Sequence, residues 1–368
     1  MKTYNIAVIG GGFMGRTHSC CVQNLKFYYD CNFRARLHTL CGRDASKTQL
    51  QAQRYGFLHA ATDFDSVISN PDIDIVDICT PNPLHFAQAK TAILAGKHVY
   101  CDKPLAVTAD EAYELAELAK RSGKVCQVVF QHRFWPAVIR AKQIIGAGGI
   151  GDIISIRAAF LHSSLVDGSK PYAWRNAPVS EGGGVLNDLG SHILDLIMYL
   201  CGDIESISAV TRTLYPKRSC ADKRVKITSD DAAYMILRLK NGACGTAEAS
   251  KLATGLNDSL KIEIHGKAGA LMFDLAHPGE LKYFSSADAG APYGGESGFK
   301  TLDCLQKYPS PCDFLSGANT PGWIRAHLHS YFCFLDNIES GREPSPSFAD
   351  AARVQALIEQ ARKCRPFE

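Results

Sequence analysis

No stretch of this 368-residue sequence is apolar over anything like the ~20 residues that a membrane-spanning helix needs, so no span is expected. Nor is there a long run of one charge. Basic residues number 40 and acidic residues 37, interspersed to leave +3 overall, which gives no electrostatic footprint for nucleic acid or anionic lipid. The fourteen cysteines include no C-x-x-C pair, excluding a zinc knuckle or a dithiol redox motif. Cys41, Cys79, Cys101 and Cys126 instead sit in or at the end of apolar strand patterns, where cysteine serves as a small hydrophobe. Histidines at ligand spacing such as H-E-x-x-H are missing too, so no metal is expected. The opening residues, Met1-Lys2-Thr3-Tyr4-Asn5, lead straight into a strand pattern without the regions of a signal peptide. These absences set the expectation of a reduced, cytoplasmic chain acting on a small molecule, with no nucleic-acid and no membrane partner.

What is present is enough apolar residue, 46% of the chain, to fill more than one core, and the length exceeds what one core usually spans. Up to about residue 130, short apolar runs alternate with amphipathic stretches. Strands are expected at Asn5–Ile9, Arg36–Cys41, Ile75–Cys79, His98–Cys101 and Val125–Phe130, and helices near Met14–Leu25, Ala45–Tyr55, Leu84–Ala95 and Ala109–Ser122. That alternation implies crossover connections and a parallel sheet. Beyond Trp135-Pro136 and a helix at Val138–Ile145 the pattern changes. Alternating strands follow at Ile153–Leu161, Ile204–Leu214, Ala232–Leu239, Ala243–Ser250, Leu260–His265 and Ala270–Phe273, with turns such as Asn241-Gly242. Asp274 to Trp323, rich in Gly, Pro and Ser, reads as long loops, and helices return at Ala326–Ser340 and Ala349–Lys363.

Gly10-Gly11-Gly12-Phe13-Met14-Gly15 follows the first strand and opens the first helix, placing Gly10, Gly12 and Gly15 at the positions of G-x-G-x-x-G. The first glycine permits a tight turn, the second lets backbone approach a pyrophosphate, and the third lets helix pack on strand. Phe13 and Met14 lie on the same turn, where helix amides favour an anion. The expected class is therefore α/β. An N-terminal Rossmann domain with a parallel sheet spans 1–130. A C-terminal α+β domain with a large, mostly antiparallel, open-faced sheet spans 131–368 and serves substrate binding and oligomerisation. At the end of the second strand, Cys41-Gly42-Arg43-Asp44 is ambiguous: Arg43 suits adenine or a 2′-phosphate, Asp44 suits ribose hydroxyls, and both also read as solvated charges. NAD is the preferred cofactor, with NADP the alternative.

Ile75-Val76-Asp77-Ile78-Cys79-Thr80-Pro81-Asn82-Pro83-Leu84-His85, with Gly96-Lys97-His98-Val99-Tyr100-Cys101-Asp102-Lys103-Pro104-Leu105, resembles the Gfo/Idh/MocA oxidoreductase family, which commonly has E-K-P where this chain has Asp102-Lys103-Pro104. The resemblance implies that Thr80, Asn82 and His85 line the nicotinamide half of the cofactor site, with Asp102 beside it, and that Lys103 is catalytic. Gly182-Gly183-Gly184-Val185-Leu186-Asn187-Asp188-Leu189-Gly190-Ser191-His192 resembles the family's D-x-x-x-H segment. Read from spacing alone, Asp188, His192 and Asp195 fall on one helical face, with Leu189, Ile193, Leu196, Ile197 and Leu200 on an apolar side. Such a stripe is also what an ordinary solvated helix shows. The Phe27-Tyr28-Tyr29 insertion, the Cys-Gly-Arg-Asp string and Trp174-Arg175 look most like the pyranoside-oxidising enzymes of the glucoside 3-dehydrogenase and levoglucosan dehydrogenase type. Arg133, Trp174 and Arg175 are candidates for touching substrate. Arg133 and Trp174 have plain structural readings as well, as an ion-pair partner and a core aromatic.

The resemblance implies hydride transfer between a secondary hydroxyl of a sugar, glycoside or polyol, pyranoside C3 being one candidate, and NAD(P). His192 suits the general base, Lys103 stabilises developing alkoxide charge, and Asp188 orients the sugar or fixes the lysine. Two other readings stay open. One is an NAD-dependent glycoside-cleaving enzyme that works by transient oxidation. The other is a non-catalytic sugar or nucleotide sensor of the same fold. A homodimer or homotetramer formed through the open sheet face is expected.

Overall fold

A run such as Ile6-Ala7-Val8-Ile9, apolar at every position, needs cover on both faces. In the computed structural model, which describes residues 1–173, 176–305, 311–312 and 322–363, that run ends strand β1 (Lys2–Ile9) at the centre of a parallel sheet. Around it lie β2 (Phe33–Cys41), β3 (His59–Ala61), β4 (Ile75–Ile78), β5 (His98–Cys101) and β6 (Cys126–Val128), in the order β3-β2-β1-β4-β5-β6 with every pairing parallel. Helices α1 (Phe13–Tyr28), α2 (Ala45–Tyr55), α3 (Phe64–Ser69), α4 (His85–Leu94) and α5 (Ala109–Ser122) make the crossovers. The strand order reverses between β1 and β4, and a crevice beyond their carboxyl ends is where such sheets bind ligands. Helix α5 shows why its bounds were readable: Thr108 and Glu111 form a reciprocal capping box, and Gly123 closes the helix at φ 65°. Neither β3 nor α3 was expected, because three and six residues are too few to show a period.

By contact density the chain forms two units, the first holding described residues 1–134, 311–312 and 322–353. The return of the chain in α8 (Trp323–Ser340) follows from packing. Its Leu328, Tyr331, Phe332, Phe334 and Leu335 are buried in one cluster with Tyr4, Leu25, Tyr29 and Phe33.

The second unit is built on an eight-stranded sheet ordered β16-β15-β14-β13-β7-β12-β11-β8. Its strands are β7 (Ile153–Leu161), β8 (Ile204–Arg212), β11 (Ala232–Leu239), β12 (Cys244–Ser250), β13 (Ser259–Gly266), β14 (Gly269–Asp274), β15 (Glu280–Ser285) and β16 (Lys300–Asp303). Only β7 and β12 pair in parallel. A separate hairpin, β9 (Lys217–Cys220) with β10 (Lys223–Lys226), was not anticipated. Strands β15 and β16 correct the reading of 274–323 as loops alone. Leu281 is fully buried in β15, but glycines and prolines around these short strands dilute the alternation. Helices α6 (Pro136–Gly146) and α7 (Ser191–Cys201) pack on the sheet, and α9 (Phe348–Lys363) closes the described chain. The face away from them stays open: along β11, Tyr234 and Ile236 are exposed while Met235, Leu237 and Leu239 are buried.

Candidate active site

Three glycines of the first turn answer to three different demands. Gly10 ends β1 at φ 102°, and a Cβ there would stand 2.7 Å from the Cys79 carbonyl oxygen. At Gly15 a Cβ would stand 1.9 Å from the Gly10 oxygen, so this residue lets α1 lie against β1. At Gly12 a Cβ would meet nothing within 4 Å. Among the described residues nothing forbids a side chain at Gly12, where a Cβ would point into open space. Gly12 is also the N-cap of α1, contributes no side-chain bond, and is followed by no acidic residue in the first turn. The first amides of α1 and the positive end of the helix dipole therefore lie beside the open space at Gly12, a fit for a pyrophosphate. Phe13 is exposed and Met14 half-buried on this turn. Gln51 of α2, which carries no motif, holds the turn by donating from Nε2 to the Gly11 oxygen at 2.9 Å.

Arg43 is exposed beside this turn, whereas Asp44 has a structural task. It caps α2, its Oδ1 accepting from the Lys47 amide at 2.9 Å. Beyond β4, the Thr80 hydroxyl donates to Gln88 Oε1 at 2.6 Å, and Asn82 opens a 3-10 turn through Leu84. His85 is fully buried, and both ring nitrogens face backbone carbonyls: Nδ1 lies 2.7 Å from the Pro104 oxygen and Nε2 2.8 Å from the Thr80 oxygen. It braces the loop after β4 against the loop after β5. On that second loop, Asp102 Oδ1 accepts from the Lys103 amide at 2.9 Å, and the Lys103 side chain is half-buried.

Behind these loops lies a charged cluster that sequence reasoning missed. His18 Nδ1 stands 2.9 Å from Asp77 Oδ1, both fully buried, and the Tyr331 hydroxyl donates to Asp77 Oδ2 at 3.1 Å. Burial alone would depress the imidazole, but the Asp77 carboxylate outweighs it and raises His18 above its ordinary value. The Cys79 thiol, pushed up by burial and then by Asp77, lies 3.3 Å from the same carboxylate. His18, Asp77 and Cys79 put three ligand-type atoms within 4.8 Å of one another. The hydrogen bonds already made among them account for that closeness.

In the second unit, Gly184 at φ 98° enters the segment that leads into α7, and a Cβ there would strike Asp230 Oδ1 at 2.4 Å. Asp230 caps the segment: its Oδ2 accepts from the Leu186 amide at 2.7 Å and its backbone oxygen from the Val185 amide at 2.8 Å. Leu186–Gly190 then forms a π turn before α7 begins, so Asp188 does not lie on the regular helix assumed from spacing. The stripe is not solvated either. Asp195 is 1% exposed and His192 6%, and α7 is buried on nearly every side. The His192 ring meets Phe160 of β7 edge-on at 5.9 Å. Asp188, half-buried, receives at Oδ2 the ammonium of Lys251, 2.7 Å away and 4% exposed. Lys251 follows β12 and belongs to no motif.

Arg133 makes the ion pair that is one of its two readings. Its guanidinium is buried in the first unit, bonded to Ser345 Oγ at 3.1 Å and Asp350 Oδ2 at 3.3 Å. Burial opposes ionisation of Asp350, but Arg133, the Ser347 amide and Arg353 together hold its carboxyl below the ordinary value. Trp174 and Arg175 lie outside the described residues.

Two family models match: one for the oxidoreductase family, NAD-binding Rossmann fold, over residues 4–130, and one for the GFO/IDH/MocA C-terminal domain over residues 138–272. Among curated proteins, the levoglucosan dehydrogenase of Pseudarthrobacter phenanthrenivorans is 33% identical across 98% of this chain and 95% of its own length. The D-glucoside 3-dehydrogenase of Escherichia coli is 27% identical over 73% of this chain and 76% of its own. A solved structure of levoglucosan dehydrogenase in complex with NADH and levoglucosan is 31% identical, covers 98% of both chains and superposes with a TM-score of 0.91.

Proposed function

The chain belongs to the Gfo/Idh/MocA oxidoreductases and its first unit is their NAD-binding domain; from that premise we propose that it oxidises a secondary hydroxyl of a pyranoside or related polyol. The observation that carries this reading is the pair of polar side chains that the second unit holds at the head of α7: His192 against Phe160, and Asp188 on the ammonium of Lys251. A few placed polar side chains are what orient a hydroxylated ligand. The similarity to levoglucosan dehydrogenase over nearly the whole chain supports the same substrate class, with levoglucosan and D-glucosides, oxidised at C3, as first candidates.

The cofactor, when bound, supplies the hydride acceptor. The open turn at Gly12 would hold its pyrophosphate, and Thr80 and Asn82 would lie along the nicotinamide half. His192 takes the hydroxyl proton, since an imidazole with an ordinary value near 6.5 suits a base at neutral pH. Lys103 stabilises the negative charge that develops on that oxygen. Asp188, with Oδ2 engaged by Lys251, accepts from a neighbouring hydroxyl and so aims the sugar. NAD is preferred over NADP. The free thiols of the described cysteines accord with the cytoplasm, and the open face of β11, with Tyr234 and Ile236, serves a homodimer or homotetramer.

The test is reduction of NAD, followed by absorbance, with levoglucosan, D-glucosides, inositols and free sugars, then by variants of the two acting groups. Lys103→Ala should lower turnover about 10²–10³-fold with cofactor affinity nearly unchanged. His192→Ala should cost about 10²–10⁴-fold. Because both serve one proton transfer, the double variant should lose far less than the product of the two. Normal turnover in either single variant removes its role, and no turnover of any panel member by the wild type removes the substrate class.

A further inference from the structure

Helix α1, which opens at the glycine turn, sends one titratable side chain into the interior of the first unit. His18 stands about one and a half helical turns after Phe13 and is fully buried. Titratable groups face it from three other elements: Asp77 and Cys79 from β4 and its end, Tyr100 from β5 with Asp102 just beyond, and Tyr331 and His327 from α8. Its two nitrogens differ. Nδ1 stands 2.9 Å from Asp77 Oδ1 and 3.2 Å from both Asp77 Oδ2 and the Cys79 sulfur, whereas Nε2, equally buried, has no hydrogen-bond partner among the described residues. An apolar side chain would strand no nitrogen here, and groups that break such a local rule gather at functional sites. What Nδ1 holds is the entry to the loop after β4. Asp77 is the next-to-last residue of that strand, and its second oxygen takes the Tyr331 hydroxyl at 3.1 Å. The Cys79 amide donates to the Ile9 oxygen at 2.8 Å, and its carbonyl oxygen lies so near the glycine turn that a Cβ at Gly10 would stand 2.7 Å from it. Thr80 and Asn82 follow directly.

We propose that His18 is a positioning residue for the cofactor: its Nδ1, bound to Asp77, sets the loop after β4 against the turn at Gly12, so that pyrophosphate and nicotinamide are held at one time. The inference rests on the part given above to Thr80 and Asn82 and adds the residue that places them. The pyrophosphate meets the turn itself, which Gly10, Gly15 and Gln51 shape without His18. The nicotinamide half meets a loop that His18 holds at one remove. Loss of Nδ1 therefore weakens the half that depends on a loop fixed in advance, and the effect shows as a difference between ligands that share the pyrophosphate.

The experiment compares by titration calorimetry NADH with ADP-ribose, which has the pyrophosphate and no nicotinamide. The proteins are wild type, His18→Leu, His18→Asn and Thr80→Ala/Asn82→Ala, each with its melting temperature. Leucine and asparagine vacate the same part of the ring, but the asparagine Nδ2 stands where Nδ1 stood and still donates to Asp77. His18→Leu should bind NADH about 10–100-fold more weakly, the scale of one lost hydrogen bond to a charged group. Its affinity for ADP-ribose should stay within about threefold of wild type, as at an uncoupled site. His18→Asn should recover most of the NADH affinity. If His18→Leu does not fold, His18→Leu/Asp77→Asn, which buries no lone carboxylate, carries the same expectation. Equal losses for the two ligands, or undiminished NADH affinity, in whichever of these folds overturns the proposal, as does an asparagine variant no better than leucine. Normal NADH affinity in Thr80→Ala/Asn82→Ala would instead overturn the assignment of that loop to the nicotinamide, so the two failures are distinguishable.

Discussion

Gly12 and Gly15 belong to one six-residue turn, yet their substitution should fail in opposite ways. The backbone at Gly12, φ −73° and ψ −158°, is open to any residue, and a Cβ there meets nothing within 4 Å. Gly12→Val should therefore change apo stability by only about 0.5–1 kcal/mol, the scale of exchanging an N-cap residue. The side chain would fill the space to which the α1 amides point, and NADH affinity should fall by at least about 100-fold, or about 2.7 kcal/mol. At Gly15 the Cβ of alanine would stand 1.9 Å from a backbone oxygen that cannot swing aside. Helix and strand must separate by more than about 1 Å, and overpacking of that kind costs about 3 kcal/mol. For a unit of this size that lowers the melting temperature by roughly 6–12 °C. Titration calorimetry with NADH and differential scanning fluorimetry separate the two. At 100-fold excess over the wild-type Kd, NADH should stabilise the wild type by about 2.7 kcal/mol and Gly12→Val by no more than about 0.4 kcal/mol. Wild-type affinity in Gly12→Val, or a wild-type melt in Gly15→Ala, would refute the reasoning.

Arg133→Met should lower stability by about 2 kcal/mol, because it removes one of the two guanidinium partners of the half-buried Asp350 carboxylate, while leaving KM for sugar unchanged; a KM effect without a shift in melting would restore Arg133 to the substrate. His98 and His329 are held neutral, first by burial, at about 4 and about 3, and His98 Nδ1 also accepts from the Val125 amide. Both values are depressed, so below about 6.5 the unfolded chain takes up protons that the folded chain refuses, and His329 alone should cost about 1.4 kcal/mol per pH unit. Melting temperature should thus fall between pH 6.5 and 4, and a flat profile there would contradict it. Lys at Ile236, 66% exposed on the open face of β11, should shift sedimentation towards monomer without altering NADH affinity; an unchanged assembly would free that face of its assigned role.

Period made some of this molecule readable. Alternation fixes β7 as Ile153–Leu161 and β11 as Ala232–Leu239, and α2 is bounded by Asp44 at one end and Gly56 at the other, so local signals suffice. The glycine string is legible because its physics is local. What escaped detection depends on distant partners. Helix α8 joins the first unit because Tyr331 and Leu335 pack with Tyr4 and Leu25, some 300 positions earlier, a pairing that no window can display. His18 and Asp77 look like ordinary helix and strand residues until they stand 2.9 Å apart. Lys251 and Asp230 carry no motif, and only the fold brings one to Asp188 and the other to the head of α7. His85 is tied to the cofactor by the resemblance, and its two carbonyl partners, which brace the loops, come into view only in the fold.

The π turn at Leu186–Gly190 gives this wall an adjustment that substitution cannot make. A π turn amounts to one residue inserted into a helix, and each residue of an α-helix advances the chain by roughly 100° about the axis. Deleting a single position between Asp188 and α7 would relax the turn and swing the carboxylate round the axis, away from Lys251, while His192 stays on its helix. With Asp188 in the role proposed for it, substrate preference is therefore open to change by length as well as by composition. A lineage or a designer can redirect the acceptor by one codon lost or gained, leaving every chemical group in place.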